Sequence, residues 1–106
     1  MSRITRYVKL VRDGIPEVLS QKGVEHTVRM ASTDEREKLL LDKLFEEVTE
    51  LSESGNPEEL ADIYEVLLAI MKTKNWNPED IEKIRLQKLG ERGGFENGVI
   101  LEETKE

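Results

Sequence analysis

The sequence of 106 residues contains no cysteine, a single histidine, one tryptophan, two tyrosines and two phenylalanines. Without cysteine the chain forms no disulfide, no thiolate zinc site and no cysteine nucleophile, and His26 alone cannot build a zinc site. Long apolar runs are also missing, since none approaches the ~20 residues that a membrane span requires. We therefore expect a cytoplasmic protein with no membrane association.

Basic residues are scarce as well, because 16 Lys and Arg stand against 23 Asp and Glu, which leaves a formal charge of −7. Contacts to a phosphate backbone need clustered Lys and Arg, so this balance argues against a nucleic-acid duplex as partner. Small molecules and other proteins are the expected partners. A chain of this length holds one core, which predicts a single domain over residues 1–106.

Capping residues and prolines predict where the helices begin. Ser32 with Glu35 and Asp34 with Glu37 have capping-box spacing, and Asn-Pro pairs occur at residues 56–57 and 77–78. These patterns predict four helices: over residues 16–22, from 32 or 34 to about 52, from 57 across the apolar run 60–71, and from 78 to about 89. The predicted helix ends are glycines 23, 55, 90, 93 and 94. Alternating apolar residues are typical of short extended segments at 7–10 and 24–30, and a further short extended segment is expected at 95–101.

The helix that contains residues 60–71 carries apolar side chains on almost every side, so it must be covered on almost every side. One small domain has too few other helices to cover it. We therefore predict an all-α fold, an antiparallel helical bundle completed by oligomerisation into a homodimer or homotetramer, with short peripheral strands allowed at the extended segments.

Acidic residues recur one helical turn apart on two of the predicted helices. Glu47 and Glu50 share a face of the first long helix, and Glu59 and Asp62 share a face of the next. The break between these helices is short, so we expect an antiparallel hairpin that brings the two pairs together. Like charges at this spacing repel each other, and a divalent metal ion would offset the repulsion. Carboxylates without nearby His or Cys favour Mg²⁺, with Mn²⁺ as a possible substitute in the same site.

Helix capping explains only part of this pattern. Glu59 lies in the first turn after a proline, where the helix dipole and a capping box favour an acid. The next helix begins in the same way, but three residues after Asp80 comes Lys83, which is a supporting pair. Asp62 stands at the corresponding position after Glu59, so capping accounts for Glu59 and leaves Asp62 unexplained.

The motifs Glu46-Glu47-x-x-Glu50 and Glu59-x-x-Asp62 resemble the signature of the all-α nucleoside triphosphate pyrophosphohydrolases, the MazG-like and phosphoribosyl-ATP pyrophosphohydrolase-like superfamily. Residues 9–17 and 91–95 are similar to a predicted house-cleaning branch, and together the matches cover most of residues 9–101. The chain carries Gly14 where members of that branch often have a lysine.

The resemblance implies an oligomeric helical enzyme that uses Mg²⁺ to hydrolyse nucleoside triphosphates between the α and β phosphates, releasing a monophosphate and pyrophosphate. By the family pattern Glu47, Glu50, Glu59 and Asp62 bind metal, and Glu46 orients or deprotonates the attacking water. Non-canonical nucleotides are the substrates expected for this branch. Two alternatives stay open: hydrolysis of phosphoribosyl-ATP in histidine biosynthesis, and a non-catalytic helical dimerisation module whose acids face solvent.

Basic residues near the two ends of the chain are candidates for binding the substrate phosphates. They are Lys9, Arg12, Arg85, Lys88 and Arg92. Guanidinium groups suit phosphate oxygens, and the glycines at 93 and 94 would allow close approach of backbone N–H groups. Basic residues at a helix C-terminus are also favoured by the dipole alone, so both explanations stay open for those on the last helix.

Overall fold

A computed structural model describes residues 3–106. These residues form four helices: α1 (Ile15–Gln21), α2 (Thr33–Ser54), α3 (Pro57–Thr73) and α4 (Pro78–Arg92). The described part of the chain has no strand, so the prediction of an all-α chain is confirmed. The allowance for short strands at residues 7–10, 24–30 and 95–101 is wrong, because none of these segments pairs with neighbouring backbone as a ladder, and residues 95–97 form a bend and a turn.

The described residues belong to two compact units, Met1–Asn75 and Trp76–Glu106. The first unit contains α1, α2 and α3, and the second contains α4 and the C-terminal tail. A single domain over residues 1–106 stays a prediction. Among the described residues, no helix combines the length and the apolar character that crossing a membrane requires.

Side-chain caps set the boundaries of the two long helices. Ser32 Oγ accepts a hydrogen bond from the backbone N–H of Glu35 at 3.2 Å, and Asn56 Oδ1 accepts one from that of Glu58 at 3.0 Å. Gly55 ends α2 with φ 63°, a left-handed conformation that glycine adopts without strain. Only Gly55 and Asn56 therefore separate α2 from α3, as the short break in the sequence predicts.

The last helix begins where the sequence predicts but ends later. Asn77 Oδ1 accepts a hydrogen bond from the backbone N–H of Glu79 at 2.8 Å. Of the three glycines predicted to end this helix, Gly93 directly follows its last residue with φ 79°, whereas α4 continues through Gly90 to Arg92. A glycine inside a helix costs only about 1 kcal/mol relative to alanine, which the following turn of hydrogen bonds can offset.

The helices α2 and α3 pack against each other as an antiparallel hairpin. Lys74 Nζ, just after the end of α3, lies 3.2 Å from Glu37 Oε2 near the start of α2, while the opposite ends are joined by the two-residue turn. Leu40 of α2 and Val66 of α3 are the buried apolar residues of the described chain. The hairpin predicted from the sequence is present, and its apolar core is small.

One side of the hairpin is covered by the segment that precedes α1. Lys9 Nζ lies 3.9 Å from Glu46 Oε1 of α2, and Arg12 Nη2 lies 2.6 Å from Asp62 Oδ1 of α3. This segment therefore spans both helices. Val8, Leu10 and Leu39 line a small groove beside these ion pairs.

The other side of the hairpin is apolar and exposed. Helical spacing of 3.6 residues per turn defines this side. On α2 its side chains lie about 100–160° around the helix axis from Glu46, and on α3 they lie within the same range of angles from Asp62. We call this surface the apolar face; it consists of Leu41, Phe45, Val48, Leu60, Tyr64 and Leu67. Phe45 is 72% exposed, which is unusual for a large apolar side chain on a helix surface.

The cap at Ser32 gives a test of this description of α2. Replacing Ser32 by alanine removes the side-chain acceptor of the Glu35 N–H, so the free energy of unfolding should fall by about 1 kcal/mol. Urea denaturation followed by circular dichroism measures this change. Ser52→Ala is the matched control, since Ser52 is exposed inside α2 and alanine favours a helix there. Equal stabilities of the two variants would contradict the cap.

Candidate metal centre

The hairpin brings together all five acids that the sequence analysis identified. These acids form two groups. The first consists of Glu46, Glu47 and Glu50, and the second consists of Glu47, Glu59 and Asp62. In each group, one carboxylate oxygen per residue lies within 4.8 Å of those of the other members. Glu47 belongs to both groups. We call these five residues the acidic cluster.

The position of Glu47 follows from the packing of α2. It lies seven residues after the buried Leu40, so both face α3 on the same side of the helix. A leucine would ordinarily occupy such a position in a packed hairpin. The turn at Gly55 then returns the chain so that Glu59 and Asp62, near the start of α3, lie opposite Glu47.

Glu47 is the one buried charged residue of the described chain, with 4% of its surface exposed. Its Oε1 lies 3.2 Å from Lys43 Nζ, whereas its buried Oε2 has no hydrogen-bond partner in the described part of the chain. A buried carboxylate oxygen without a partner is costly, and such atoms are rare in folded proteins. The arrangement therefore calls for a further cation or donor at this oxygen.

Repulsion within the acidic cluster also affects the pKa of Glu50. The Glu59 carboxyl, in hydrogen-bonding position across the hairpin, raises the pKa of Glu50, and desolvation adds to this effect. The charged form of Glu50 is therefore disfavoured in the folded chain. This is the direction expected of carboxylates that share a site without a metal ion between them.

Three basic side chains lie against the acidic cluster. Lys43 Nζ lies 3.6 Å from Glu46 Oε1 as well as 3.2 Å from Glu47 Oε1, and it is only 21% exposed. Lys9 and Arg12 pair with Glu46 and Asp62, so both residues predicted to bind phosphate from this end of the chain border the cluster. Sequence reasoning missed Lys43, although its position three and four residues before the two glutamates is the spacing of helical ion pairs.

The other predicted phosphate-binding residues, Arg85, Lys88 and Arg92, belong to the second unit. Their spacing of three and four residues places them within about 60° of one another around α4, so they share a face. Arg85 forms an ion pair with Glu82, one turn earlier, which raises the pKa of the Arg85 guanidinium.

The donors of the acidic cluster suit a hard divalent cation. All are carboxylate oxygens, and the single histidine is exposed and contacts the backbone oxygen of Val24 at 3.0 Å through Nδ1. Mg²⁺ and Mn²⁺ prefer such oxygen ligands and retain water or substrate oxygens in their remaining positions. The residues present therefore fit Mg²⁺ or Mn²⁺, with Glu47 as the ligand common to both groups.

Comparison of the chain with protein-family models, with curated proteins and with solved structures found no significant match.

The repulsion at Glu50 predicts the effect of removing its charge. In metal-free protein Glu50→Gln should raise the melting temperature, because the amide retains the shape and loses the repulsion from Glu59. Since the pKa of Glu50 is raised by folding, the cost of its charged form is present at neutral pH and is lost as the pH falls through that pKa. The difference between the proteins should therefore shrink toward acid pH.

Thermal unfolding in EDTA at several pH values measures this difference. Glu53→Gln, at an exposed position near the end of α2, is the matched control and should change little. A Glu50→Gln protein less stable than the parent at neutral pH would show that the cluster is not repulsive.

Proposed function

We propose that this chain is a Mg²⁺-dependent nucleotide pyrophosphohydrolase of the all-α, MazG-like superfamily. It would hydrolyse nucleoside triphosphates between the α and β phosphates, giving a monophosphate and pyrophosphate, and act on non-canonical nucleotides as a house-cleaning enzyme. The observation that carries the proposal is Glu47, which is buried, belongs to both carboxylate groups and has one oxygen without a partner. Its cytoplasmic location stays a prediction.

The proposed chemistry needs no covalent nucleophile. Bound Mg²⁺ supplies neutralising charge for the phosphate oxygens and lowers the pKa of a bound water. Glu47, Glu50, Glu59 and Asp62 are the proposed metal ligands. Glu46 is more exposed than Glu47 and is held by Lys43 and Lys9, which supports its proposed role of orienting or deprotonating the attacking water at the edge of the cluster.

Basic residues would neutralise the part of the triphosphate that the metal does not reach. Lys9 and Arg12 already border the acidic cluster, so a polyanion bound there would lie against them. A phosphate-binding role of Arg85, Lys88 and Arg92 stays a prediction. The negative net charge is compatible with this proposal, because a nucleotide binds as its magnesium complex.

Pyrophosphate release from a panel of canonical and damaged nucleoside triphosphates tests the proposed function. The parent protein should release pyrophosphate with Mg²⁺ and none with EDTA. Glu47→Gln removes a charged ligand common to both carboxylate groups, so we expect a loss of about 100-fold or more in kcat/KM. Glu53→Gln should retain full activity.

Two results would contradict the proposed function. The first is the absence of pyrophosphate release on every nucleotide of the panel, which would favour a non-catalytic helical module. The second is full activity in the Glu47→Gln protein, because catalysis would then not depend on the acidic cluster.

We also propose that a second copy of the chain covers the apolar face. The face lies on two antiparallel helices, so a two-fold axis across it would pair each helix with its counterpart and complete a four-helix bundle. All six residues of the face are uncharged and exposed, and three come from each of the two packed helices. This pairing provides the homodimer, and a homotetramer if two such dimers associate.

Introducing a charge into the apolar face tests this pairing. Phe45→Glu would bury a carboxylate against apolar side chains, so light scattering after size exclusion should show a shift from dimer or tetramer toward monomer. Phe95→Glu is the matched control, since Phe95 is exposed and lies in the tail of the second unit. A Phe45→Glu protein with the parent's mass would exclude this face as the interface.

A further inference from the structure

Arg12 forms an ion pair with one of the carboxylates that the proposed metal site requires. Its Nη2 donates a hydrogen bond to Asp62 Oδ1 at 2.6 Å, a closer contact than the 3.9 Å between Lys9 and Glu46. Asp62 in turn belongs to the group that contains Glu47 and Glu59. The guanidinium thus neutralises the same carboxylate that would bind a divalent cation.

The two cations closest to the cluster differ in their freedom to leave it. Lys43 belongs to α2 itself, lies one turn from Glu46 and Glu47, and is largely buried. Arg12 lies in the non-helical segment before α1, and its side chain is 56% exposed. A rotation of that side chain removes the guanidinium from Asp62 without disturbing a helix.

We propose that Arg12 is a displaceable counter-ion that competes with a divalent cation for Asp62. In metal-free protein Arg12 holds Asp62 and limits the repulsion among the acids. Once displaced, the guanidinium is free at the edge of the cluster and binds the phosphate oxygens of the substrate. Metal binding and phosphate binding are then coupled through one side chain. The second half of the proposal rests on the proposed function, whereas the competition for Asp62 does not.

The size of the expected competition follows from the strength of the ion pair. Partly exposed ion pairs contribute modestly, so removing this one should tighten cation binding by about two- to fivefold. The direction of the change in cation affinity is more informative than its size. A phosphate-binding arginine with no other role would leave the affinity for the cation alone unchanged.

Calorimetric titration of the full chain with Mn²⁺ alone tests the competition. Arg12→Gln should bind Mn²⁺ more tightly than the parent. Arg6→Gln is the matched control, because it removes one positive charge from the same segment at a residue for which the described chain has no ion pair. Unchanged Mn²⁺ affinity in Arg12→Gln, or an equal change in Arg6→Gln, would overturn the proposal.

Titration with inorganic pyrophosphate in excess Mg²⁺ tests the second role of Arg12. Arg12→Gln should bind pyrophosphate several-fold more weakly than the parent. Arg12→Lys retains the charge without the fork, so its affinities for Mn²⁺ and for pyrophosphate should lie between those of the parent and those of Arg12→Gln. Unchanged pyrophosphate affinity would overturn this role. Circular dichroism checks folding, and Arg12→Lys keeps the test decisive if Arg12→Gln unfolds.

These outcomes separate the inference from the proposed function. Tighter Mn²⁺ binding in Arg12→Gln, in a protein that hydrolyses no nucleotide of the panel, would support the competition for Asp62 while the enzyme proposal fails. A parent protein that is active, with no effect of Arg12→Gln on its Mn²⁺ affinity, would support the enzyme proposal and overturn the competition for Asp62.

Discussion

The burial of the Glu47 carboxylate is the constraint on which the account of this hairpin depends. A charge at this depth requires partners, yet four other carboxyl groups lie within 4.8 Å of it and increase the cost. Lys43 offsets part of that cost at Oε1, and Oε2 is left without a partner in the described residues. A position that would stabilise the hairpin as leucine is thus occupied by an acid, which is the exchange of stability for chemistry expected at a functional site.

The two sides of the α2–α3 hairpin differ in chemical character. The side that carries the acidic cluster is crossed by the chain's own basic segment, through the ion pairs of Lys9 and Arg12. The opposite side leaves large apolar residues such as Phe45 and Tyr64 exposed. The proposed chemistry and the proposed assembly can therefore be altered separately, although both would use the same two helices. Association across the apolar face would also hold the helices in the register on which the acidic cluster depends.

Local chemistry made much of this arrangement predictable from the sequence. The caps at Ser32 and Asn56 set helix starts through bonds to the adjacent backbone, and helical spacing was sufficient to place Glu47 and Asp62 on facing sides of a hairpin. The ion pair between Arg12 and Asp62 joins residues 50 positions apart, so it depends on the path of an irregular segment that no periodicity describes. Extended segments were overpredicted as strands for a related reason, since a strand requires a distant partner that an alternating pattern cannot supply.

The central claim is that Glu47 is buried among carboxylates because it binds a divalent cation. Its most direct test is a crystal structure of the protein grown with Mn²⁺, using anomalous scattering to locate the metal. We expect an anomalous peak about 2.0–2.3 Å from a Glu47 carboxylate oxygen, with further ligands from the acidic cluster. Well-ordered crystals in millimolar Mn²⁺ without a peak at Glu47, and with Oε2 bonded instead to a protein group or a water molecule, would contradict it.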